Sequence, residues 1–472
     1  MKKSKQSKPK NEKEIKKTKA SEEVETTKKP EAKAEPKPEP KSESKPETDP
    51  NDEPLSDTPT LSSKTKPKKS KKPLIIILII IILLGGVAAW FLFTGAFKDG
   101  KFDFSKLFGT KQDNCETDQL QCETAAEEPE PEKAKIYNRL TGLEIADASI
   151  NDSPLYCIQI PNDTYGARPQ VGLSKAAILF EAIAEGGITR FATVFQNLED
   201  SVIGPIRSLR TYYLDWEIPF NCTLVHAGGE KEAAQTAANG SYRDLTESTV
   251  YMYRDSRGYK APNNLFSSAA LLTKFNSDKG YTTSNPKVFP RQTPLESETI
   301  AKTVRENAEK SKEDAQVNAE NELQPVSTFK INFSRQTVTG NFNTVYKYNE
   351  KTNSYDRSYA SGAEHLVYNC RGGLDKPSPK QECGEPTQLS PNVVVAIMVD
   401  EYSKDNGREN IQTIGSGDAY VFQNGSVIKA TWTKSSKAEQ INFTDKNGEI
   451  IKLAPGQLLI AAVPNAYGSV QY

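Results

Sequence analysis

A run of twenty uncharged residues, Leu74 to Phe93, divides the chain into two parts that belong to different environments. The run holds seven isoleucines and five leucines. At about 1.5 Å per helical residue it spans the ~30 Å hydrocarbon core of a bilayer. We therefore predict a transmembrane helix over residues 74–97. A cleaved signal peptide is the alternative, but its charged region is normally short, and 73 residues precede this run.

Lysines are concentrated on one side of this run. Six of the nine residues 64–72 are lysines, whereas the other side mixes lysines with aspartates. Because positive charge is retained on the cytoplasmic side of a membrane, we predict a single-pass protein of the cell membrane with a cytoplasmic N-terminus. The residues after Phe97 are then extracytoplasmic, and the lipid bilayer is the partner of residues 74–97.

The segment before the run has the composition of a disordered chain. Residues 1–72 hold 21 lysines, 14 acidic residues and no aromatic residue. Such a segment cannot bury enough apolar surface to offset its chain entropy. We predict a disordered cytoplasmic tail rich in Lys, Glu and Pro over residues 1–73. The acidic residues dilute its positive charge, so specific nucleic-acid binding is not expected.

Composition also divides the part after the run. Residues 98–135 are acidic and contain prolines, which predicts an extracytoplasmic stalk. From Ile136 onward the composition is that of a folded protein, long enough for two domains. The charged, aromatic-poor segment 292–324 predicts a helical linker. We expect an α/β domain over residues 136–291 and a β-rich domain over residues 325–472.

All six cysteines follow the apolar run. An even number of cysteines in an oxidising compartment favours disulfides. The spacing predicts a bond within each of two loops, Cys115–Cys122 and Cys370–Cys383. Cys157 and Cys222 lie in strand-like segments, where a bond and two buried thiols are both open. No pair has the CxxC spacing and only two histidines occur, so neither a metal site nor a cofactor is predicted.

The densest polar signals lie in the first predicted domain. Gly186 and Gly187 separate two runs rich in apolar residues, a pattern typical of a β-hairpin whose turn needs positive φ. Strand alternation then predicts that Glu181, Glu185 and Arg190 share one face. A helix that ends at the two glycines is the alternative. Paired carboxylates suit acid–base chemistry, although such a set is more often an ion-pair network.

A second group of polar residues follows. Arg207 and Arg210 are three apart, so their guanidinium groups could converge on a phosphate or a carboxylate. The alternative is pairing with acidic side chains inside the fold. His226 then precedes Gly228, Gly229 and a helix predicted to begin near Glu230. A strand, a glycine turn and a helix N-terminus predict an anion site beside His226, although a purely structural histidine is the open alternative.

Several segments resemble the YerB-like family of bacterial envelope lipoproteins, whose members carry a two-part domain of unknown function. The first part is carried by NRLTGL (138–143), ARPQVGLSKAAILFEAIAEGGITRF (167–191), GPIRSLR (204–210), HAGG (226–229) and APNNLF (261–266). The second part is carried by YNEKTNSYDRS (348–358), LSPNVVVAIM (389–398), GSGDAYVFQNGSVIKATWTK (415–434) and LAPGQLLIAAVP (453–464). The resemblance implies an extracytoplasmic envelope protein and supplies no activity.

This chain departs from the family pattern at three places. No lipobox cysteine follows the apolar run, so a helix replaces the lipid anchor. Glu230 stands where a small hydroxyl residue is expected, and Asn263 stands where a histidine is expected. A mechanism that needs either side chain is therefore not expected here.

The last third of the chain is predicted to be β-rich. Short strand-like runs alternate with Asn424-Gly425 and Asn447-Gly448, dipeptides typical of type I′ hairpin turns. The predicted fold class is therefore α+β, with a mixed α/β first extracytoplasmic domain and a β-rich, antiparallel second domain.

These patterns support three functional hypotheses. The first is binding of an anionic or glycan-type component of the envelope or cell wall. Its predicted ligand-binding residues are Arg168, Arg190, Arg207, Arg210, Gly228, Gly229, Asn263 and Asn264. The second is a hydrolase or transferase with His226 as base and Glu181 or Glu185 as acid. The third is a scaffold that joins the envelope to an unknown protein partner.

Overall fold

The structure is a computed structural model that describes residues 134–256, 258–313, 323–334, 342–372, 383–404 and 408–472. It also gives the backbone of a short strand pair, Phe97–Lys98 with Lys101–Phe102. The predicted tail, the apolar run 74–93 and the Cys115–Cys122 pair lie outside the described residues. Within those ranges no helix combines the length and the apolar character that crossing a membrane requires. Ala125–Tyr472 form one compact unit, and the strand pair belongs to another.

Eleven strands form the main sheet. In chain order they are β1 (Tyr156–Pro161), β2 (Ile178–Glu185), β3 (Ile188–Phe195), β4 (Thr223–Val225), β5 (Arg243–Leu245), β6 (Gln324–Pro325), β7 (Val393–Val399), β8 (Gly415–Gln423), β9 (Ser426–Lys434), β10 (Asn442–Thr444) and β11 (Leu458–Pro464). Their order across the sheet is β5-β4-β1-β3-β2-β11-β7-β8-β9-β6, and β10 also pairs with β9.

The sheet contains strands from both sides of the predicted linker 292–324. The junction is the parallel pair β2–β11, in which Ile178 lies opposite Leu458 and Glu181 opposite Ala461. Residues on either side of the linker therefore share one hydrophobic interior on each face of the sheet.

The central strands are almost continuously apolar because both of their faces are covered. In β7, Val393, Val395 and Ile397 pack into the core on one face, and Val394 and Ala396 pack into the core on the other. The sequence of β11, LLIAAVP, is buried along its whole length. Burial on two faces removes the alternation that marks a strand with one solvated face.

Helices pack against both faces of the main sheet. They are α1 (Thr211–Glu217), α2 (Lys231–Ala237), α3 (Ala269–Lys279) and α4 (Pro294–Glu313), with 3-10 turns at Ala148–Asp152, Leu173–Lys175 and Ile218–Phe220. Trp216 of α1 stacks on Phe180 of β2 with ring centroids 5.5 Å apart. Helix α4 starts at a capping box, because the Glu296 side chain accepts the Thr293 N–H at 2.6 Å.

A four-stranded antiparallel sheet packs on the same face of the main sheet as α3. Its order is Ser354–Tyr359, Thr344–Asn349, Thr328–Asn332 and Ser469–Gln471. Phe329 and Tyr346 from this sheet are stacked, and Phe329 also stacks on Phe422 of β8. This aromatic contact buries the side chains that alternation directs inward.

Smaller strand groups complete a fold that is mostly strand with few helices. Two of them are strand pairs: Ile136–Tyr137 with Glu144–Ile145, and Glu401–Ser403 with Glu409–Ile411. The other two have three strands each. One contains Gln170–Val171, Leu366–Tyr368 and Thr387–Gln388, and the other contains Val202–Ile203, Tyr253–Arg254 and Leu265–Ser268. A β-rich architecture agrees with the sequence prediction, but the predicted antiparallel character of residues 325–472 is wrong in part, since β7 and β11 pair in parallel.

The predicted hairpin at Gly186-Gly187 is present, but its register differs from the prediction. An irregularity between Ile183 and Glu185 places Glu181 opposite Phe191 and Arg190 opposite Ala182. Beyond a bulge of this kind the side chains of a strand change faces. The prediction that Glu181 shares one face with Glu185 and Arg190 is therefore wrong, because simple alternation omits the extra residue.

The hairpin predicted at Asn424-Gly425 is confirmed, since Gln423 of β8 lies opposite Ser426 of β9. At Asn447-Gly448 the turn is wider than predicted, because the Asp445 N–H donates to the Glu449 carbonyl oxygen at 2.9 Å and encloses three residues instead of two.

Two disulfides lie within the described residues. The predicted Cys370–Cys383 bond is confirmed. Cys157 and Cys222, for which the sequence left both states open, are also bonded. Cys157 belongs to β1 and Cys222 directly precedes β4, so this bond joins two neighbouring parallel strands.

Candidate functional site

The candidate site lies at one edge of the main sheet. The pairing directions make β1, β2, β4, β5, β7, β9 and β11 run the same way, so their carboxyl ends meet at one edge. Ligands of sheets with parallel strands characteristically bind beyond these carboxyl ends. The segments that carry most of the predicted site residues follow β1, β2 and β4 at this edge.

The GPIRSLR segment enters this edge between the ends of β1 and β4. The Arg207 N–H donates to the Gln159 carbonyl oxygen at 2.8 Å, and the Ala227 N–H donates to the Arg207 carbonyl oxygen at 3.0 Å. The Leu209 N–H donates to the Gly228 carbonyl oxygen at 3.1 Å. These backbone hydrogen bonds hold in place the main chain that carries the side chains of Arg207 and Arg210.

Arg190 and Arg210 share one carboxylate. Arg210 Nη2 lies 2.7 Å from Glu185 Oε2, and Arg190 Nη2 pairs with the other oxygen. Burial alone would raise the pKa of Glu185, but the charges of Arg190 and Arg210 outweigh it and hold that pKa below its usual range. Glu185 is therefore a charged counter-ion for the pair, as the ion-pair alternative allowed.

Arg207 has no acidic partner among the described residues. Its side chain is half-buried, and within the described ranges it makes one hydrogen bond, from Nη1 to the Pro262 carbonyl oxygen at 3.5 Å. Burial and the nearby Arg190 charge lower the pKa of Arg207, while Asp163 and Glu185 act in the opposite direction. Arg207 is thus a cation held close to other cations.

Arg168 lies near Asp163. Its guanidinium carbon is 3.7 Å from the ring centroid of Tyr359, and its Nε donates to Asn162 Oδ1 at 3.0 Å. Burial lowers the pKa of Arg168, and the charge of Asp163 is one of the groups that raise it. Asp163 therefore acts on both Arg168 and Arg207.

We call Arg168, Arg190, Arg207 and Arg210 the arginine cluster. Asp163 and Glu185 flank it, and Glu181, which also acts on Arg168, is paired with Arg357, so positive charge is in excess. Each arginine also keeps one buried guanidinium nitrogen without a hydrogen-bond partner in the described structure: Arg168 Nη2, Arg190 Nη1, Arg207 Nε and Arg210 Nε. Unpaired buried donors are uncommon in folded proteins, and here they occur in all four predicted arginines.

Asn263 extends the site, whereas Asn264 does not. Asn263 Nδ2 lies 3.0 Å from both carboxylate oxygens of Asp163. Asn264 instead accepts from Arg254 at 2.8 Å and donates to Ser256 at 3.2 Å. Sequence reasoning missed Asp163, which lies two residues after the end of β1.

His226 is buried, and both of its ring nitrogens are engaged. Nδ1 lies 2.7 Å from the Gly228 carbonyl oxygen, and Nε2 lies 2.8 Å from Asp244 Oδ1. A side chain on Gly229 would meet the Leu209 carbonyl oxygen at 2.9 Å, so close backbone packing explains that glycine. The Glu230 N–H at the start of α2 donates to the same carbonyl.

Glu181 lies in a fully buried network that reaches Arg168 through Asn162, whose Nδ2 donates to Glu181 Oε1 at 3.3 Å. Both of its oxygens accept from Arg357, at 2.8 Å and 2.9 Å, and Oε1 also accepts from Thr189. Arg357 in turn contacts His365, whose pKa is lowered by burial and by the Arg357 charge. No hydrogen bond among the described residues joins His226 to either Glu181 or Glu185.

A separate cavity of about 1010 Å³ lies between α4 and β9. Its lining includes Leu295, Ile300, Val427 and Ile428 and none of the arginine cluster. The described residues contain no group of three or more histidine, cysteine or acidic side chains arranged to hold a metal ion.

Two family models match this chain. The model described as "Protein of unknown function (DUF3048) N-terminal domain" matches residues 140–282. The model for the corresponding C-terminal domain matches residues 330–460. The first range contains the whole arginine cluster, and the second contains Arg357.

Similar proteins are found in Bacillus subtilis. The chain is 26% identical over 337 residues to the protein named "Putative lipoprotein YerB" of strain 168, covering 70% of this chain and 87% of that one. The crystal structure of the B. subtilis YerB protein superposes with a TM-score of 0.55 and 23% identity. It covers 72% of this chain and 100% of that chain, and the likeness concerns the fold.

Proposed function

Because the chain belongs to the DUF3048 family, which brings no assigned activity, we propose a function from the site alone: the protein binds an anionic component of the cell envelope at the arginine cluster. The observation that carries this proposal is the excess of four guanidinium groups over two carboxylates at the carboxyl edge of the sheet. Guanidinium groups bind phosphate and carboxylate oxygens through paired hydrogen bonds.

Arg207 is the expected point of contact. Arg190 and Arg210 are nearly buried and already share Glu185, whereas Arg207 is half-buried and has no acidic partner among the described residues. A ligand anion beside Arg207 would also reduce the repulsion between Arg207 and Arg190. Binding therefore places negative charge where the free protein lacks it.

Calorimetry with pyrophosphate as the probe tests this proposal on the full-length protein in detergent. Arg207→Ala should weaken binding by roughly 10-fold to 150-fold, the equivalent of losing one hydrogen bond to a charged group. Arg254→Ala is the matched control, since Arg254 is bound to Glu247 and Asn264 outside the cluster. If Arg207→Ala, Arg254→Ala and the unchanged protein bound pyrophosphate with equal affinity, the proposal would be contradicted.

We also propose that residues 74–97 anchor the protein with its N-terminus in the cytoplasm. The apolar length and the lysines before it support this orientation. Protease added to intact, wall-stripped cells should digest the residues after Phe97 and spare the tail. Protection of the C-terminal part would contradict the orientation.

A finer description of the fold accompanies these proposals. We propose that the first half is of mixed α/β type, since α1 and α2 flank the parallel strands β1, β4 and β5. No observation on the described residues favours catalysis, because His226, Glu181 and Glu185 each have separate partners.

A further inference from the structure

An exposed tyrosine lies two residues after Asp163, one of the carboxylates that flank the arginine cluster. Tyr165 lies in the loop that follows β1 and is 69% exposed. Its backbone N–H donates to Asp163 Oδ1 at 2.9 Å, so the main chain of Tyr165 is held next to that carboxylate. Arg168, three residues further on, closes the same loop.

The surroundings of Asp163 differ from those of a site for a bare anion. Asp163 is negative and lies close enough to Arg207 to affect its pKa, so it would weaken, without preventing, the binding of a simple anion at that arginine. Its carboxylate oxygens are hydrogen-bond acceptors, and Asn263 holds them in place. The neighbouring Asn263 Oδ1 is a second acceptor, buried and without a partner in the described structure. Acceptors in this position suit a ligand that carries hydroxyl donors as well as an acid.

Carbohydrates combine these features. The C–H bonds of a pyranose ring form an apolar face that packs on an aromatic ring. Its hydroxyl groups donate to carboxylate oxygens, and a uronate or phosphate substituent supplies the negative charge. We infer that the arginine cluster binds an acidic carbohydrate, with its acid group at Arg207, its hydroxyls at Asp163 and a sugar ring on Tyr165. The inference rests on the proposed function and names its ligand class.

Two probes that both carry carboxylates distinguish recognition of the acid group from recognition of the sugar ring. A short oligogalacturonate carries carboxylates on pyranose rings, and a polyacrylate of similar length carries carboxylates without rings. Binding of each to the full-length protein in detergent is measured by calorimetry. Tyr165→Ala should weaken oligogalacturonate binding roughly fivefold to tenfold, as the loss of one ring contact would, and leave polyacrylate binding unchanged.

Tyr165→Phe and Tyr472→Ala are the matched controls. The first keeps the ring and should bind like the unchanged protein, and the second removes a partly exposed tyrosine outside this loop. Equal oligogalacturonate affinity for Tyr165→Ala and the unchanged protein would overturn the inference, as would binding of polyacrylate alone. In either case a loss of binding in Arg207→Ala would leave the proposed function standing. If Arg207→Ala bound both probes normally, the proposed function itself would fail.

Discussion

The guanidinium group of Arg357 lies 2.8 Å and 2.9 Å from the two carboxylate oxygens of Glu181, and both side chains are fully buried. Burial alone would lower the pKa of Arg357, but the Glu181 carboxylate outweighs it and raises that pKa. Glu181 lies in the range matched by the N-terminal family model and Arg357 in the range matched by the C-terminal one. The pair is therefore a charged contact between the two halves of the family domain.

Breaking this pair should destabilise the protein strongly. Arg357→Met leaves a buried carboxylate without its counter-ion, which should lower the free energy of unfolding by about 3–5 kcal/mol. Urea denaturation followed by tryptophan fluorescence measures the change. Adding Glu181→Leu to the same chain should restore part of the loss, because a buried pair can be replaced by apolar side chains.

The control is Lys302→Met, which removes one partner of the exposed Lys302–Glu306 pair. Exposed ion pairs contribute little, so its unfolding midpoint should hardly move. A loss below about 1 kcal/mol for Arg357→Met would mean that the buried pair does not join the halves energetically.

Glu185 should compete with the proposed ligand. Glu185→Gln removes the negative charge that Arg190 and Arg210 share, so pyrophosphate affinity should rise about fivefold, as expected for one charge acting at short range in a solvated site. The gain should shrink as salt is added, because ions screen partly exposed charges. Calorimetry at two ionic strengths measures both effects.

Glu199→Gln makes the same charge change at an exposed residue that pairs with Lys175. Pyrophosphate affinity should stay constant in that variant. An equal gain in both variants would assign the effect to net charge and remove Glu185 from the site.

The buried Glu217 should make stability depend on pH. Its carboxyl group accepts from Gln159 Nε2 at 2.6 Å, and burial raises its pKa from 4.5 to about 8. The folded state then keeps a proton that the unfolded state has lost. The contribution of this proton to the free energy of unfolding is present in full below pH 4.5. It is lost as pH rises towards 8, at about 1.4 kcal/mol per pH unit.

Glu217→Gln keeps the shape and removes the titration. Urea denaturation at pH 5, 6 and 7 should show a smaller decline for the variant than for the unchanged protein, since other groups titrate equally in both. Parallel pH profiles for the two proteins would show that Glu217 titrates normally.

The two disulfides should differ in their contribution to stability. Cys157–Cys222 closes a loop of 65 residues and Cys370–Cys383 a loop of 13. In the chain-entropy model these loops correspond to roughly 4 and 3 kcal/mol. Non-reducing peptide mapping should recover both bonds, and the double substitution Cys157→Ala/Cys222→Ala should lower the unfolding midpoint more than Cys370→Ala/Cys383→Ala. Recovery of free thiols without reductant would contradict the assignment.

Local features of this fold could be predicted from the sequence because neighbouring residues determine them. The glycine pair at 186 and 187 requires positive φ and gave the hairpin, and the close spacing of Cys370 and Cys383 gave their bond. The bulge before Glu185 was missed because it inserts a residue without any distinctive amino acid. Asp163 was missed because one acidic residue after a strand has no pattern of its own.

Long-range partners could not be predicted in this way. Arg357 lies 176 residues from Glu181, and no periodicity or motif links the two positions. His226 illustrates a related limit, since the sequence around a histidine at a glycine turn is the same whether its ring nitrogens are free or hydrogen-bonded. Asp244, the residue that engages Nε2, lies on a different strand. Arg207, Arg210 and Arg168 were predicted as one site, and the structure places them near shared carboxylates.

The parallel pairing of β2 with β11 has a consequence for how the protein is made. Residues 178–185 leave the ribosome long before residues 458–464, so β2 must wait with one edge unpaired until nearly the whole chain has been synthesised. An open apolar edge of this kind readily pairs with other chains. A nascent or prematurely terminated chain would therefore need a chaperone at this edge, and a stop codon anywhere before residue 458 should send the product to aggregation or proteolysis.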